Sequence, residues 1–183
     1  LVNGWNTIYM LPLFLGWFFS PYIAFKISKA DDKTEYILSK NDKYILKRIC
    51  RKTWAYFEDF VKCEYNYLPP DNYQEYPFKG VALRTSPTNI GLYFVSMLAA
   101  RDFGYITTAQ LAEGAVKTLN TVERMESWKG HLYNWYDIKT LEVLRPQYIS
   151  TVDSGNFVSY LLLLRQGLEE YLNKPLIDNS IIH

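Results

Sequence analysis

No charged side chain occurs between Leu1 and Phe25. As one α-helix, an apolar stretch of this length crosses the hydrocarbon core of a bilayer, which is about 30 Å thick. Trp5 and Tyr22 lie near its two ends, where amphipathic aromatic rings favour the membrane interfaces. The pattern predicts a transmembrane helix over residues 1–28, and a buried helix of a soluble domain is the alternative.

Basic residues follow this apolar stretch and set its expected orientation. Lys26, Lys29 and Lys33 come directly after it, and lysine and arginine are enriched on the cytoplasmic side of membrane helices. A signal peptide is disfavoured, because no basic residues precede the apolar run and no small-residue cleavage site follows it. The rest of the chain is therefore expected in the cytoplasm, after a polar linker over residues 29–41.

Four helical patterns follow the linker. The first and third put apolar residues on one stripe, whereas the second and fourth are apolar on nearly every side. The second and fourth are therefore predicted to be buried on nearly every side. Ser86 followed by Pro87, and Thr107 three residues before Gln110, are typical of helix N-termini. The predicted helices cover about residues 42–61, 86–104, 107–122, and a last stretch from near Asp153 to before Pro175.

The order of these helices predicts an all-α toroid. A very short connection around Gly104 joins the second helix to the third, but the connections 62–85 and 127–152 are long. Two helical hairpins therefore repeat with a period of about 65 residues, as expected where half-exposed outer helices alternate with inner helices. Both long loops then lie at one end, at the N-termini of the inner helices. A flat helical bundle is the alternative architecture.

Charge and composition exclude several classes of partner. The net charge of +1 gives no electrostatic reason to expect nucleic acid, and the basic residues from Lys47 to Lys52 are interpreted as a solvated helix face. Cys50 and Cys63 are too few for a disulfide framework. Neither they nor the two histidines have the spacing of metal ligands, so no metal is expected.

Aromatic residues are abundant, with 16 tyrosines and 5 tryptophans, and many of them lie in the long loops. Mixed with Asp, Asn and Gln, they form a platform for a flat polar ligand, because aromatic faces stack on pyranose rings while polar side chains pair with hydroxyls. The predicted substrate-binding residues are Asp71, Asn72, Gln74, Glu75, Arg84, Thr85, Asn89, Tyr133, Asn134, Trp135, Tyr136, Asp137, Asp153 and Asn156.

Simpler interpretations exist for part of this set. Asp153 is most simply a helix N-cap, and Trp135 can be aromatic core beneath a loop. Capping does not explain Arg84, a cation at a helix N-terminus, where the helix dipole disfavours it. Asp71 and Glu75 are also candidate carboxylates for general acid/base chemistry or for contacts to sugar hydroxyls.

Four motifs stand out along the chain. They are Arg-Thr-Ser-Pro-Thr-Asn-Ile-Gly-Leu-Tyr at 84–93, Ala-Ala-Arg-Asp-Phe-Gly at 99–104, Tyr-Asn-Trp-Tyr-Asp at 133–137 and Ser-Thr-Val-Asp-Ser-Gly-Asn at 150–156. Together they resemble the central part of the bacterial cyclic β-1,2-glucan synthases, and residues 17–21 and 68–72 also look like that family. The resemblance covers nearly the whole chain, and it is specific in the order and spacing of its motifs.

This resemblance implies a large inner-membrane protein with three enzymatic regions. Its N-terminal glucosyltransferase uses UDP-glucose, its central glycoamylase-like (α/α)6 domain closes linear β-1,2-glucan by retaining transglycosylation, and a phosphorylase-like domain follows. Residues 1–28 would be the last membrane span and 42–183 the N-terminal part of the central domain. An (α/α)6 barrel takes twelve helices, so the catalytic pair is expected downstream of His183, and the fragment alone is expected to be inactive.

The expected partners are therefore β-1,2-glucan, the membrane and the remainder of the same polypeptide. No cofactor is expected in this segment, because UDP-glucose is implied only for the full-length protein. A β-glucan hydrolase or phosphorylase of similar barrel fold is one alternative function. A non-catalytic, membrane-anchored glycan-binding module is another.

Overall fold

The computed structural model describes residues 5–29 and 37–172 of the chain. It forms two compact units, Leu1–Lys43 and Tyr44–His183. Lys33, most of the predicted linker, Pro175 and His183 lie outside the described residues, as does the side chain of Trp5.

The first helix, α1 (Trp5–Ser28), lies in the first unit. Its stretch Tyr9–Ser28 has a mean hydropathy of 1.4 and contains no buried residue, so it is long and apolar enough to cross a membrane by length and composition. Pro12 and Pro21 lie inside it. Membrane helices tolerate proline because neighbouring groups satisfy the freed backbone carbonyls.

The second helix, α2 (Lys40–Phe60), begins two residues earlier than predicted. The hydroxyl of Ser39 accepts a hydrogen bond from the Asp42 backbone N–H at 3.2 Å, and the Asp42 carboxylate accepts from the Ser39 backbone N–H at 3.1 Å. This reciprocal capping satisfies two donors that a helix start leaves free. The end of the predicted linker, residues 40–41, is therefore helical.

Three further helices follow, α3 (Pro87–Asp102), α4 (Thr108–Val122) and α5 (Thr151–Leu172). The predicted caps of α3 and α4 are confirmed. The Ser86 hydroxyl accepts from the Asn89 backbone N–H at 3.2 Å, and Thr107 and Gln110 form a complete capping box.

Replacing Thr107 with alanine is expected to destabilise the fold by about 1 kcal/mol, because the first turn of α4 loses the hydroxyl that accepts from the Gln110 backbone N–H. Urea unfolding of the 183-residue chain followed by circular dichroism measures this difference. Thr107→Ser keeps the hydroxyl and is the matched control, for which stability near that of the unchanged chain is expected. Equal stability of the alanine and serine variants contradicts the capping role.

The core of the second unit is centred on α3. Ile90, Phe94 and Met97 are at most 1% exposed, and they pack with Leu111 of α4 and Trp54 of α2. The prediction that α3 is buried nearly all round is thus largely confirmed. The exceptions among its apolar residues are Leu92, which is 44% exposed, and Ala99, which is also exposed.

Two glycines let α3 and α5 approach closely. A Cβ at Gly91 of α3 would clash with the ring of Tyr160, lying 2.9 Å from its Cγ, and a Cβ at Gly167 of α5 would lie 2.6 Å from a methyl group of Leu98. No heavy atom fits at such distances, so the close packing of these two helices requires glycine at both positions.

The prediction that α5 is buried on nearly every side is wrong for the described part of the chain. Leu164 and Tyr171 are buried, but Val158, Leu162 and Leu163 are more than half exposed. The reason is that, among the described helices, α3 is the one that packs along α5. One apolar side of α5 is therefore covered, and the others face outward.

The two long loops contain short strands that their sequences did not predict. Each strand has two residues, and the pairs β1–β2, β3–β6 and β4–β5 are antiparallel. The strands are β1 (Tyr73–Gln74), β2 (Gly80–Val81), β3 (Arg84–Thr85), β4 (Ser127–Trp128), β5 (His131–Leu132) and β6 (Tyr136–Asp137).

Asn66 anchors the first long loop to its surroundings. Its side-chain nitrogen donates to the carbonyls of Ile138 and Lys139, both at 2.9 Å, and its own carbonyl accepts from the Thr121 hydroxyl at 2.7 Å. Asn66 has a φ of +52°, a left-handed conformation that asparagine tolerates better than most residues. The loop is thereby fixed to α4 and to the second long loop.

Candidate functional site

The pairing of β3 with β6 joins the two long loops into one surface. Arg84 lies opposite Asp137, and Thr85 lies opposite Tyr136. Residues about 50 positions apart in the sequence are thus held side by side at the start of α3. This agrees with the prediction that both loops lie at the same end of the helices.

Arg84 is at the centre of this surface. Its Nε and Nη2 donate to the same oxygen of Asp71, at 3.1 and 2.8 Å, and its guanidinium lies 4.6 Å from the centre of the Trp135 ring. A cation over an aromatic face and a charge-assisted hydrogen bond both stabilise the arginine. These contacts explain why a cation is present beside the N-terminus of α3.

Asp71 is largely occupied by its neighbours. Besides Arg84, the side-chain amides of Asn72 and Asn89 donate to its two oxygens, at 3.0 and 3.3 Å. Its side chain is only 18% exposed. Asp71 therefore acts as the acceptor that organises these three side chains, which leaves little of the carboxylate for general acid/base chemistry.

A tyrosine of α2 is hydrogen-bonded to the first long loop, next to Asp71. The hydroxyl of Tyr56 in α2 donates to the carbonyl of Pro70 at 2.9 Å. Burial, and secondarily the charge of Asp71, raise the pKa of Tyr56 to about 12. The phenol therefore stays protonated near neutral pH and is a constant hydrogen-bond donor to the loop.

Asn134 connects the second loop to the start of α5. It is 6% exposed, and its amide is oriented so that each atom meets a complementary partner. The nitrogen donates to Asp153 at 3.0 Å, while the oxygen accepts from the Trp135 indole N–H and from the Tyr148 hydroxyl, both at 2.7 Å. Trp135 is thus held from both sides, by Asn134 at its edge and Arg84 at its face.

The structure corrects the predicted cap of α5. The helix begins at Thr151, and the Ser150 hydroxyl accepts from the Asp153 backbone N–H at 3.1 Å. Asp153 therefore lies in the first turn, where its charge interacts favourably with the helix dipole and its oxygen accepts from Asn134. Ser150, three residues earlier, takes the capping role.

A cavity of about 410 Å³ lies between the β4–β5 hairpin and the starts of α3 and α5. Asn156 of α5 donates to the Thr88 hydroxyl of α3 at 3.3 Å and joins the two helix starts beside it. The Ser154 hydroxyl is buried and has no hydrogen-bond partner within residues 5–29 and 37–172. The cavity is lined by Pro87, Gly130, His131, Leu132, Thr151, Ser154, Gly155, Phe157 and Val158.

None of the predicted binding residues is among those that line this cavity. Asn72 and Gln74 border a separate cavity of about 310 Å³ beside the β1–β2 hairpin, and Glu75 is exposed at the turn of that hairpin. The Gln74 amide donates to the carbonyl of Pro77 at 3.0 Å. These residues are close to Arg84 in the fold but do not line the cavity at α5.

Thr85 and Tyr136 belong to the core, and this corrects their place in the predicted set. Both are 0% exposed, and the Tyr136 hydroxyl donates to the carbonyl of Glu126 at 2.6 Å and accepts from the backbone N–H of Tyr133 at 2.7 Å. Asp137 is used locally, since its carboxylate accepts from the backbone N–H groups of the next turn. Tyr133 is half-buried.

Three polar residues of the cavity were not predicted, His131, Thr151 and Ser154. Thr151 and Ser154 lie inside the motif at 150–156, and His131 lies two residues before the motif at 133–137. Thr151 and Ser154 could have been found by extending the predicted set to every polar residue of the motif at 150–156. No group of three or more metal-ligating side chains occurs among the described residues.

Comparison with known proteins identifies a related sequence. The chain is 41% identical over 166 residues, 90% of its length, to the cyclic β-(1,2)-glucan synthase NdvB of Rhizobium meliloti (strain 1021). The chain spans 6% of the length of that protein. No protein-family model matches the chain.

Two solved structures share the fold. A candidate glucoamylase from Bacteroides fragilis matches 76% of this chain and 37% of its own with a TM-score of 0.58 and 18% identity. Another from Bacteroides caccae matches 70% and 36% with a TM-score of 0.59 and 17% identity. The predicted glycoamylase-like α/α toroid, incomplete in this chain, is confirmed by these neighbours. Over 90% of its length, the chain is thus similar to one segment of a cyclic β-(1,2)-glucan synthase.

Proposed function

We propose that this chain is the part of a membrane-bound carbohydrate-active enzyme that binds β-1,2-glucan while the polymer is cyclised by retaining transglycosylation. The observation that carries the proposal is the cavity at the joined starts of α3 and α5, bordered by the long loops. The 41% sequence identity to a cyclic β-(1,2)-glucan synthase supports the choice of β-1,2-glucan as the polymer.

The chemistry of the cavity suits a sugar. Its volume of about 410 Å³ lies within the range of small-molecule sites, roughly 300–1,000 Å³. Leu132 and Phe157 offer apolar contact for the C–H face of a ring, while His131 and Thr151 offer hydrogen-bonding groups for its hydroxyls. Backbone N–H groups in the first turn of α5 add donors that the helix itself leaves free.

The catalytic carboxylates are proposed to lie outside this segment, downstream of His183. A retaining enzyme needs two carboxyl groups about 5 Å apart, one as nucleophile and one as acid/base. Asp71, Asp137 and Asp153 are each engaged by neighbouring side chains or backbone, which supports a binding or structural role for them. UDP-glucose remains the donor proposed for the complete protein, and no residue of this segment is assigned to it.

We also propose that α1 crosses the bacterial inner membrane and that the second unit is on the cytoplasmic side. The apolar length of α1 and the lysines at its C-terminal end support this orientation. Residues 29–41 then connect the span to the N-terminal part of the toroid, residues 42–183.

Product analysis of the complete gene product on linear β-1,2-glucan tests the reaction. Cyclic glucan formed without added phosphate is the expected result. Sugar phosphate whose formation depends on phosphate identifies a phosphorylase, and shortened linear products identify a hydrolase. Either outcome contradicts transglycosylation. So does a full-length protein that binds the glucan without changing it.

Trp135→Ala is expected to weaken binding of linear β-1,2-glucan by about fivefold while the helical circular dichroism stays unchanged, because an aromatic platform contributes roughly 1 kcal/mol. Titration calorimetry on the 183-residue chain measures the affinity.

Trp135→Phe keeps an aromatic face and is expected to retain most of the affinity. Phe103→Ala is the matched control for unspecific loss of aromatic surface. Phe103 is 49% exposed and lies at the opposite end of α3. Affinity that is the same for Trp135→Ala and Phe103→Ala contradicts a stacking role for Trp135.

A further inference from the structure

The N-terminal half of α2 exposes a row of apolar side chains. Ile45 is 45% exposed, Leu46 is 46% exposed and Ile49 is 55% exposed, whereas Trp54, further along the same helix, is 7% exposed. The amphipathic stripe predicted for this helix is therefore longer than the part of it that the core covers. Its C-terminal half, with Trp54 and Phe57, packs against the hydrophobic core of the second unit.

Basic side chains lie beside this apolar row. Lys47, Arg48 and Lys52 have no ion-pair partner among the described residues, and no acidic residue occurs between Asp42 and Glu58. Arg48 lies three positions after Ile45 and Lys52 lies three positions after Ile49. Residues three and four positions apart share one side of a helix, so these basic side chains flank the exposed isoleucines. Their interpretation as a solvated face leaves the adjacent apolar row unexplained.

This part of α2 lies at the end of the unit opposite to the sugar site. The Tyr105 hydroxyl, just after α3, donates to the carbonyl of Lys47 at 3.2 Å. Phe103, which is 49% exposed at the same end, extends the apolar surface across a cavity of about 150 Å³ that Ile49 also lines. With 16 residues, α3 separates this end from Arg84 by about 24 Å.

We propose that this surface lies on a bilayer that contains anionic lipid. The surface, called the basic face, comprises Tyr44, Ile45, Leu46, Lys47, Arg48, Ile49 and Lys52. A helix with lysine and arginine beside exposed aliphatic residues binds such surfaces by burying its apolar side chains and attracting acidic headgroups. A nucleic-acid backbone would satisfy the charges but would leave the aliphatic row exposed.

The connection along the chain places the basic face within reach of a bilayer. Residues 29–39 separate the end of α1 from the start of α2, a length that cannot exceed about 40 Å even when fully extended. This argument rests on the proposed membrane crossing of α1.

Fluorescent labelling of the full chain tests the basic face. In a background of Cys50→Ala and Cys63→Ala, a nitrobenzoxadiazole label is attached at Ile49→Cys, or at Val116→Cys of α4 as the control. Both positions are 55% exposed in the fold, so the two labels start from matched surroundings. The chain is reconstituted into vesicles of phosphatidylcholine with or without phosphatidylglycerol, each with and without acyl-chain spin-labelled lipid.

With phosphatidylglycerol, the Ile49 label is expected to be quenched by the spin-labelled lipid about threefold more than the Val116 label. Replacing Lys47, Arg48 and Lys52 by glutamine should abolish this difference. Replacing Lys62, Lys79 and Lys129 by glutamine removes the same charge elsewhere and should preserve it.

Flotation of the vesicles separates the two proposals. If the chain floats but both labels are quenched equally, the proposed contact of the basic face with lipid is wrong, while the proposed membrane anchor stands. The same conclusion follows if the Ile49 label is covered by another protein surface, because the spin-labelled lipid then cannot quench it more than the Val116 label. Quenching at Ile49 that does not depend on phosphatidylglycerol overturns the role of anionic lipid. Chain that does not float overturns both.

Discussion

Gly91→Ala is expected to lower the free energy of unfolding by about 3 kcal/mol, the upper range for overpacking a core. The added Cβ would meet the ring of Tyr160, whose Cγ lies 2.9 Å and whose own Cβ lies 3.0 Å from its ideal position. The contact is with the base of the ring rather than with a flexible chain end, so α5 itself must shift. Urea unfolding of the 183-residue chain measures the loss.

Gly155→Ala is the matched control for this change. Gly155 lies in α5 and has no heavy atom within 4 Å of an added Cβ. Alanine favours the helical conformation over glycine by about 1 kcal/mol, so this variant is expected to be as stable as the unchanged chain or slightly more so. Stability losses of similar size at Gly91 and Gly155 contradict the close packing of α3 on α5.

Arg84→Gln is expected to destabilise the fold by about 2 kcal/mol. The substitution leaves the carboxylate of Asp71, only 18% exposed, without its cation, and removes the guanidinium from the face of Trp135. Denaturant unfolding monitored through tryptophan fluorescence measures the change.

Two comparisons isolate the cause. Arg165→Gln breaks an exposed arginine–glutamate pair within α5 and is expected to cost no more than about 0.5 kcal/mol. Combining Asp71→Asn with Arg84→Gln removes both charges, and the double variant should be less destabilised than the sum of the single ones. Equal losses for Arg84→Gln and Arg165→Gln contradict an organising role for Arg84.

Local signals were sufficient to predict most helix starts. Ser86 and Thr107 cap helices through bonds to residues three positions away, so the sequence contains the whole motif. The start of α5 was misplaced because Ser150 and Asp153 are both good caps. Their roles are decided by a contact between Asp153 and Asn134, which no local pattern reveals.

The site was predictable in its segments but not in its side chains. Trp135 and Tyr136 are adjacent and both aromatic, yet successive residues at a strand point to opposite sides, so Tyr136 enters the core and Trp135 stays half-exposed. Two-residue strands are too short to show this alternation in a sequence. The pairing of Arg84 with Asp71 and Trp135 likewise depends on how the loops meet.

The unpredicted exposure of α5 has a similar origin. Its apolar residues on all sides are typical of an inner helix, and the sequence cannot say which neighbours are present. The two glucoamylase-like structures are covered to 37% and 36% by this chain. The sides of α5 that are exposed here are therefore proposed to pack against the remainder of the toroid.

Hydrogen–deuterium exchange of the 183-residue chain with and without linear β-1,2-glucan tests the binding claim most directly. The predicted result is slower exchange over residues 127–137 and 150–158, which include eight of the nine residues that line the cavity at the starts of α3 and α5, with unchanged exchange in α4. A β-1,3-linked glucan of the same length should protect neither region. Protection confined to other parts of the chain, or none at saturating glucan, would contradict the proposed function.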